Sequence, residues 1–149
     1  MTDTVRDLMR KKIETIKESA SVQEAANKMK EKNVSSLVVV DENGRPLGLI
    51  TERDLVRKIC IRDVYTSKVI SREIMSSPLI TVKSKSLSSE AADIMLQNNV
   101  RHLLVIDNES SENADKPIGI ITPLDFTRSQ GYADSDDNDT IEKLLEYYI

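Results

Sequence analysis

The sequence carries one unit twice. Residues 9–41 align without a gap onto residues 75–107 at an offset of 66 positions. The offset then becomes 71, because Asn108–Lys116 replaces the shorter stretch Glu42–Arg45. Both copies end on the same motif, Gly48-Leu-Ile-Thr-Glu-Arg-Asp54 in one and Gly119-Ile-Ile-Thr-Pro-Leu-Asp125 in the other. Solenoids stack three or more shorter units, so a long unit present twice predicts two related lobes packed face to face.

Each copy should contain an amphipathic helix after a short opening strand. In the first copy, Ser21-Val-Gln-Glu24 has the capping-box pattern, in which the Ser and Glu side chains satisfy free amides at a helix start. Apolar residues between Val22 and Met29 follow at helical spacing. We expect this helix to end near Lys32-Asn33.

The second copy departs from this helix start at one position. Leu87 occupies the place of the capping Ser21. We therefore expect the second helix to cap one residue away and to add Leu87 to the apolar stripe of Ala91, Ile94 and Met95. The apolar face of this helix would then still pack on the core, although the helix starts one residue away from the position in the first copy.

Two strands follow the helix in each copy. Leu37–Val40 is an apolar run rich in β-branched residues, and it stops at the turn cluster Asp41–Gly44. Pro46–Ile50 then resumes as a second strand, so the pair is predicted to form a strand-turn-strand hairpin. Two apolar segments separated by a turn cluster are typical of neighbouring strands in a sheet.

A further helix should close each copy. Thr51 has the side chain of an N-cap with Asp54 three residues on, and in the second copy Pro123 takes the first helical position, where proline is favoured. An apolar stripe for the first of these helices would consist of Leu55, Val56, Ile59 and Cys60. Each copy therefore reads strand, helix, strand, strand, helix, which places the chain in the α+β class.

The residues after the second copy suggest a linker and a short helix. Asp134–Asp139 begins like a calcium loop, but Asp139 stands where the loop needs Gly, and Leu145 stands where it needs a bidentate Glu. A solvated acidic linker is the favoured interpretation. Beyond it, a helix is predicted that Thr140 would cap and that would dock on a lobe or on a neighbouring subunit. Its apolar stripe is Ile141, Leu144, Leu145 and Tyr148.

Composition limits the classes of function. Hydrophobic residues make up 39% of the 149 residues, which is enough to bury a core, whereas aromatic residues make up only 3% and Trp is absent. The net charge of −4 does not favour nucleic acid, although Arg6, Arg10, Lys11 and Lys12 form a small basic cluster. The first thirty residues lack the apolar core of a signal peptide, and no apolar run reaches membrane-spanning length. We expect a cytoplasmic protein.

The repeated Gly-x-x-Thr-x-x-Asp end is the motif that can carry chemistry. Gly48 and Gly119 would let a ligand approach the backbone, and the helix N-terminus would supply free amides to a phosphate. The carboxylates of Asp54 and Asp125 could accept both hydroxyls of a ribose. The alternative is that Thr and Asp merely cap a helix. Two copies in the same context favour a nucleotide grip.

The chain resembles a tandem pair of cystathionine-β-synthase (CBS) domains, a family that binds adenosine-containing ligands. The resemblance spans about Val5 to Phe126. The residues that carry it are Val5-Arg-Asp-Leu-Met9 and Ser71-Arg-Glu-Ile-Met75, the two Glu-Ala-Ala-x-x-Met helices, Asn33-Val-Ser-Ser-Leu and Asn99-Val-Arg-His-Leu, and the two Gly-h-h-Thr-x-x-Asp ends, where h is an apolar residue. We place repeat one in residues 1–64, repeat two in residues 65–130, and an acidic linker with the amphipathic helix in residues 131–149.

The resemblance implies a disc-like module of two pseudo-symmetric β-α-β-β-α repeats packed sheet to sheet, with two clefts that are each lined by both repeats. The aspartates would hold the ribose diol, the threonines would lie by the phosphate or ribose, and residues before the first and middle strands would frame adenine. One cleft would use Leu49, Thr51 and Asp54 with Ile80 and Val100, and the other would use Ile120, Thr122 and Asp125 with Glu14 and Val34.

The phosphate side of the two expected clefts is less symmetric. Arg101-His102 takes the place of Ser35-Ser36, so the clefts should differ in phosphate preference if these side chains face inward. Arg53 is a further candidate for a phosphate contact. The alternatives are an exposed strand position for His102 and a solvated helix face for Arg53.

The leading functional hypothesis is a regulatory module rather than an enzyme, because the sequence shows no catalytic constellation. It would sense AMP, ADP, ATP or S-adenosylmethionine, require no metal or other cofactor, and alter an unidentified protein target or its own assembly. The second hypothesis is a ligand-independent interaction scaffold with vestigial clefts. Members of the family commonly form homodimers through the helices after the Thr-x-x-Asp motif, here Leu55–Ile61 and the helix from Leu124.

Overall fold

The computed structural model describes residues 3–107, 117–128 and 138–148. The chain forms two compact units. The first unit comprises residues 14–79, and the second comprises residues 1–13 together with residues 80–149. Residues 1–13, which open repeat one in the sequence, therefore belong with the second unit, and residues 65–79, which open repeat two, belong with the first unit.

The first unit contains a three-stranded sheet in the order β1-β2-β3, with β1 parallel and β3 antiparallel to β2. Its elements are β1 (Thr15–Lys17), α2 (Val22–Lys32), β2 (Ser36–Val40), β3 (Pro46–Thr51), α3 (Glu52–Asp54) continued by a π-helix (Leu55–Cys60), a 3-10 turn (Thr66–Lys68) and α4 (Ser71–Ile74).

The second unit repeats this sheet in the order β4-β5-β6. Its elements are α1 (Val5–Leu8), β4 (Thr81–Lys83), α5 (Ser88–Asn98), β5 (Leu103–Ile106), β6 (Pro117–Ile121), a 3-10 helix (Pro123–Arg128) and α6 (Asn138–Tyr148). The predicted α+β class and the strand-helix-strand-strand-helix order are confirmed in both units.

Helix α2 follows the predicted pattern. The Ser21 hydroxyl accepts the Glu24 amide at 3.1 Å, and Val22, Ala25 and Met29 are buried on one face. The helix ends at Asn33, whose backbone is left-handed with φ of 54°. Asn tolerates this conformation better than most residues, which explains the stop at the predicted place.

The predicted slip of the second helix is wrong. Helix α5 begins at Ser88, in the same register as α2, and Leu87 is its N-cap with an exposed fraction of 36%. The backbone of Leu87 forms a bridge with Thr4, and its carbonyl accepts the amide of Glu90 at 3.0 Å. Because backbone pairing holds Leu87 outside the helix, its side chain does not join the stripe of α5.

The predicted turn of the first hairpin is confirmed at Asp41–Gly44. One carboxylate oxygen of Asp41 accepts the amides of Asn43 at 2.8 Å and Arg45 at 2.9 Å, and Gly44 has a φ of 81°. An Asp that caps its own turn and a Gly with positive φ are the two usual devices of a tight loop. The corresponding turn, Asn108–Lys116, lies outside the described residues.

The apolar stripe after Asp54 is only partly as predicted. Ile59 is buried and Leu55 packs against the core, whereas Val56 and Cys60 are exposed. The prediction assumed 3.6 residues per turn, but residues 55–60 form a π-helix with hydrogen bonds from residue i+5 to residue i. The wider turn rotates two of the four side chains away from the core.

Each unit encloses its own apolar core. In the first unit, the core joins the buried face of α2 to β2, β3 and Ile74 of α4. In the second unit, it joins α1, α5 and the sheet to Phe126 and α6. No helix among the described residues is both long enough and apolar enough to span a bilayer.

Helix α6 packs on the second unit, against α5 and the 3-10 helix that carries Asp125. Ile141 and Leu144 are buried in the core of that unit, and Leu145 packs against it. The predicted cap at Thr140 is wrong, because the helix begins at Asn138. The proposed calcium-like stretch and acidic linker fall largely on residues 131–137, which lie outside the described residues.

Leu144→Ala tests the docking of α6. Removing a fully buried leucine should lower the free energy of unfolding by about 2–5 kcal/mol, because it leaves a cavity in the core of the second unit. Glu142→Ala on the exposed side of α6 is the matched control and should change stability by about 0.5 kcal/mol or less. Urea denaturation measures both, and equal effects of the two variants would show that α6 does not dock through Leu144.

Candidate functional site

The two strand-to-helix turns hold equivalent polar groups. Thr51 ends β3 and caps α3, and Thr122 lies between β6 and the 3-10 helix. The aspartates three residues later are buried, Asp54 with an exposed fraction of 6% and Asp125 with 0%. Carboxylates are seldom buried unless their oxygens have donors, so the partners of these two define the site.

In the first unit, one carboxylate oxygen of Asp54 closes a capping box. Asp54 Oδ2 accepts the Thr51 amide at 3.0 Å and the Thr51 hydroxyl at 3.4 Å. The Thr51 hydroxyl in turn accepts the Asp54 amide at 3.4 Å. The cap therefore fixes the carboxylate without using its second oxygen.

The second oxygen of Asp54 faces two donors from other elements. Ser76 donates its hydroxyl to Asp54 Oδ1 at 3.2 Å, and the Lys58 ammonium lies 3.1 Å from the same atom. Lys58 also donates to the carbonyl of Ile74 at 2.8 Å, and its side chain is 40% exposed. The negative charge is thus balanced by a cation that reaches the solvent.

In the second unit, Asp125 has the same arrangement with a different cation. Asp125 Oδ2 accepts the Thr122 amide at 2.8 Å and the Thr122 hydroxyl at 3.2 Å. Asp125 Oδ1 accepts Arg10 Nε at 3.0 Å, and the Arg10 side chain is 57% exposed. Both sites therefore hold one carboxylate oxygen in a cap and present the other to a partly exposed cationic side chain.

A third Thr-x-x-Asp box shows what the motif does without a buried site. Asp7 accepts the Thr4 amide at 3.0 Å and the Thr4 hydroxyl at 2.9 Å at the start of α1, but it is exposed. These donors, the backbone amide first, lower the pKa of Asp7 below its ordinary value. Capping alone thus accounts for the Thr-x-x-Asp spacing, whereas burial and an adjacent cation distinguish Asp54 and Asp125.

The glycines of the motif have a role different from the one predicted. A Cβ on Gly48 would lie 2.7 Å from the carbonyl oxygen of Ser76 and 2.9 Å from the sulfur of Met75. A Cβ on Gly119 would lie 2.6 Å from the sulfur of Met9. The close approach predicted for a ligand is made instead by the protein's own Met9 and Met75 segments.

These segments pair with the edge of the sheet. Leu49 exchanges two backbone hydrogen bonds with Ser76, at 3.0 and 2.8 Å, and Ile120 exchanges two with Arg10, at 2.9 and 2.8 Å. The backbone groups of Leu49 and Ile120 are therefore engaged. Their side chains are buried.

The remaining predicted residues lie at the end of each sheet where its first two strands begin. The carbonyl of Glu14 accepts the Val38 amide at 2.9 Å, and that of Ile80 accepts the Leu104 amide at 3.1 Å. Val34 and Val100 are half-buried and pack against the cores of their own units.

Ser35 lies at the same end of the first sheet, directly before β2, and its carbonyl accepts the amide of Glu52 at 3.2 Å. With the Asp54 amide bonded to Thr51, two of the first three amides of α3 are already satisfied. Fewer amides are open to a phosphate than the capping pattern implied.

Arg53, Arg101 and His102 are placed by the backbone beside the caps. Arg53 is half-buried on α3, Arg101 is exposed, and His102 is half-buried. Leu103, the first residue of β5, lies opposite Ile121, so His102 and Thr122 directly flank this pair. In the first sheet, Ser36 lies opposite Thr51. Their predicted contact with a phosphate stays a prediction.

Each unit brings half of each expected cleft set together. The first unit holds Glu14, Val34, Ser35, Leu49, Thr51, Arg53 and Asp54, and the second holds Ile80, Val100, Arg101, His102, Ile120, Thr122 and Asp125. Within the described ranges, no three Asp, Glu, His or Cys side chains are grouped to hold a metal ion.

Sequence reasoning missed the three donors to the carboxylates, Arg10, Ser76 and Lys58. Arg10 and Ser76 are equivalent in the repeat, since they differ by 66 positions and each follows the conserved Met of the two copies. Lys58 lies four residues after Asp54, a spacing at which opposite charges meet on a helix. These signals were present in the sequence, but only the structure shows that Arg10 reaches Asp125 and that Ser76 and Lys58 reach Asp54.

The comparisons with known proteins match both copies of the repeat. The family model of the CBS domain matches residues 5–61 and residues 70–131. An uncharacterized protein of Methanopyrus kandleri is 33% identical over 143 residues, which cover 96% of this chain and 70% of that protein.

Two solved structures have a similar fold. A conserved CBS domain protein of unknown function from Thermoplasma acidophilum has a TM-score of 0.78 and 25% identity, covering 98% of this chain and 78% of that one. A hexameric CBS-CP12 protein from bloom-forming cyanobacteria has a TM-score of 0.80 and 25% identity, covering 97% of this chain and 81% of that one.

Gly48→Ala tests the backbone crossing beside Asp54. The new methyl group would collide with the Ser76 carbonyl, so we expect a loss of about 1–3 kcal/mol in the free energy of unfolding. Gly44→Asn is the control, because the site is open and Asn tolerates a positive φ better than most residues. Its loss should come from backbone strain alone and be smaller than that of Gly48→Ala. If Gly48→Ala were as stable as the parent in urea, the glycine would not be required for the crossing.

Proposed function

Because the chain belongs to the CBS domain family, whose tandem pairs are generally regulatory, ligand-binding modules, we propose that it senses an adenosine-containing ligand. Candidate ligands are AMP, ADP, ATP and S-adenosylmethionine. Occupancy would alter the surface that the protein presents to a target or to its own copies. We propose no reaction for it.

The observation that carries this proposal is the pair of buried carboxylates, Asp54 and Asp125. A ribose offers two neighbouring hydroxyl donors, and an ionised carboxylate accepts hydrogen bonds only. The caps at Thr51 and Thr122 hold each carboxylate through one oxygen, which leaves the other oxygen in a fixed position toward its cation. A preorganised acceptor loses little entropy when the ligand binds.

The cations beside the carboxylates can make room for a ligand. Lys58 and Arg10 reach the carboxylates with side chains that are partly exposed, so each can shift to admit a ligand while its Asp stays in place. A ribose hydroxyl would then share Oδ1 with the cation. This arrangement keeps the buried carboxylate satisfied in both states, as burial of a charge demands.

A scaffold that self-associates without a ligand is the second candidate. Val56, Ile61 and Leu124 are exposed apolar residues on the helical segments that follow the two caps, at the positions through which family members commonly pair. The hexameric CBS-CP12 structure supports self-association as a property of similar folds. The two candidates differ in whether a small molecule changes the protein.

Thermal unfolding with each candidate ligand tests the sensing function. A ligand at a hundredfold excess over its Kd should stabilise the protein by about 2.7 kcal/mol, which corresponds to a rise of roughly 5–10 °C in Tm for a chain of this size. Asp54→Ala and Asp125→Ala should each reduce this ligand-induced rise, because each removes one ribose acceptor.

Asp7→Ala is the matched control, because it removes the same kind of cap from an exposed position. The ligand-induced rise, rather than the starting Tm, is compared, since every loss of a cap lowers stability on its own. No rise with any of the four ligands, together with a ligand-free oligomer in native mass spectrometry, would favour the scaffold instead.

A further inference from the structure

Arg10 and Ser76 occupy one position of the repeat in three dimensions as well as in sequence. Each exchanges two backbone hydrogen bonds with the third strand of its sheet, Arg10 with Ile120 and Ser76 with Leu49. Each side chain donates to the Oδ1 atom of the local Asp, at 3.0 Å from Arg10 Nε and 3.2 Å from Ser76 Oγ. In each unit, the residue at this position therefore donates a hydrogen bond to Oδ1 of the buried Asp. The donor is the charged Arg10 in the second unit and the neutral Ser76 in the first.

The missing charge in the first unit comes from another position. Lys58, four residues after Asp54, supplies a cation at 3.1 Å. The sequence has Ser129 at the corresponding position after Asp125, and its placement lies outside the described residues. Asp125 thus pairs with the cation Arg10, whereas Asp54 accepts the neutral Ser76 hydroxyl and pairs with the cation Lys58.

The two cations differ in what they can still bind. Arg10 uses Nε on Asp125, and among the described residues it makes no other ion pair or side-chain hydrogen bond. The two terminal nitrogens of its guanidinium therefore remain for a second anion, in the planar geometry that suits phosphate. Lys58 has three donors and already uses two, on Asp54 and on the Ile74 carbonyl.

We propose that Arg10 is a specificity-determining residue of the Asp125 site, where its guanidinium bridges Asp125 and the phosphate of a phosphorylated adenosine ligand. This inference rests on the proposed function and narrows its ligand at this site to a nucleotide. Adenosine lacks the phosphate, and S-adenosylmethionine carries a cationic sulfonium in its place, so neither presents a phosphate to the guanidinium. The Asp54 site, with Ser76 and an occupied Lys58, discriminates less between adenosine and AMP.

Isothermal titration calorimetry with adenosine and AMP tests the role of Arg10. The Asp54→Ala background isolates the Asp125 site. In it, Arg10→Met should weaken AMP by about tenfold to a hundredfold, the usual loss for a charge-assisted hydrogen bond, and should leave adenosine within about threefold. Arg6→Met is the control, because Arg6 lies on α1 and pairs with Asp107 at 3.6 Å. It should leave unchanged the AMP-to-adenosine ratio, by which we mean the affinity for AMP divided by the affinity for adenosine.

Several results would overturn the inference. Equal losses for AMP and adenosine, or no loss for either, would mean that Arg10 does not read the phosphate while the sensing function stands. If the parent chain bound neither compound nor any other adenosine ligand, the proposed function itself would fail, and this inference with it. If Arg10→Met did not fold, Arg10→Lys would test the role instead, because lysine keeps the positive charge and lacks the planar pair of donors of a guanidinium. A lower AMP-to-adenosine ratio in Arg10→Lys supports the role, and an unchanged ratio contradicts it.

The phosphate specificity proposed for Arg10 can also be transferred to the first unit by substitution. In an Asp125→Ala background, the double variant Ser76→Arg with Lys58→Ser places the Arg10 arrangement beside Asp54. The AMP-to-adenosine ratio of this site should rise by about tenfold. A ratio that did not rise, in a variant that still bound adenosine, would contradict the assignment of phosphate specificity to this position.

Discussion

The crossing of a backbone segment over a glycine is the contact on which the rest of this structure depends. Met75-Ser76 lies on Gly48 and Leu49, and Met9-Arg10 lies on Gly119 and Ile120, so closely that a single methyl group would not fit. Each crossing attaches a short helix to the outer strand of a sheet. It also fixes the residue whose side chain reaches the buried Asp. Core, sheet edge and polar site are therefore joined at one point in each unit.

The same crossing explains why the compact units are not consecutive halves of the chain. Helix α1 opens repeat one in the sequence but packs in the second unit, and α4 opens repeat two but packs in the first unit. A change in residues 5–10 therefore acts on the Asp125 site, more than a hundred residues away in sequence. This makes the opening segment a part of the second site rather than a leader to the first.

Local patterns in the sequence predicted what depends on near neighbours. The Ser21 cap, the stripe of α2, the Asp41 turn and the Thr51–Asp54 box are all closed within a few residues, and all are present. Those interactions require no knowledge of the rest of the chain. The predicted class and the order of elements follow from the same signals.

The errors arise where a distant segment overrides the local pattern. Leu87 is held out of its helix by backbone pairing with Thr4, and Gly48 accommodates Met75 rather than a ligand. The Arg10 contact with Asp125 spans 115 positions, so no local window contains it. Comparing the two copies could have pointed to it, because Arg10 and Ser76 are equivalent positions that both follow a Met and carry side chains of different charge.

The energetics of the two aspartates favour a functional reason for their burial. Removing a carboxylate from water costs several kcal/mol, and a partly exposed cation returns only part of that cost. An exposed cap such as Thr4–Asp7 performs the structural task without this cost. The copies nevertheless retain both a buried Asp and a compensating cation, and they obtain that cation in different ways. The proposed role as a ribose acceptor would account for the shared Asp, and the proposed phosphate specificity would account for the unlike cations.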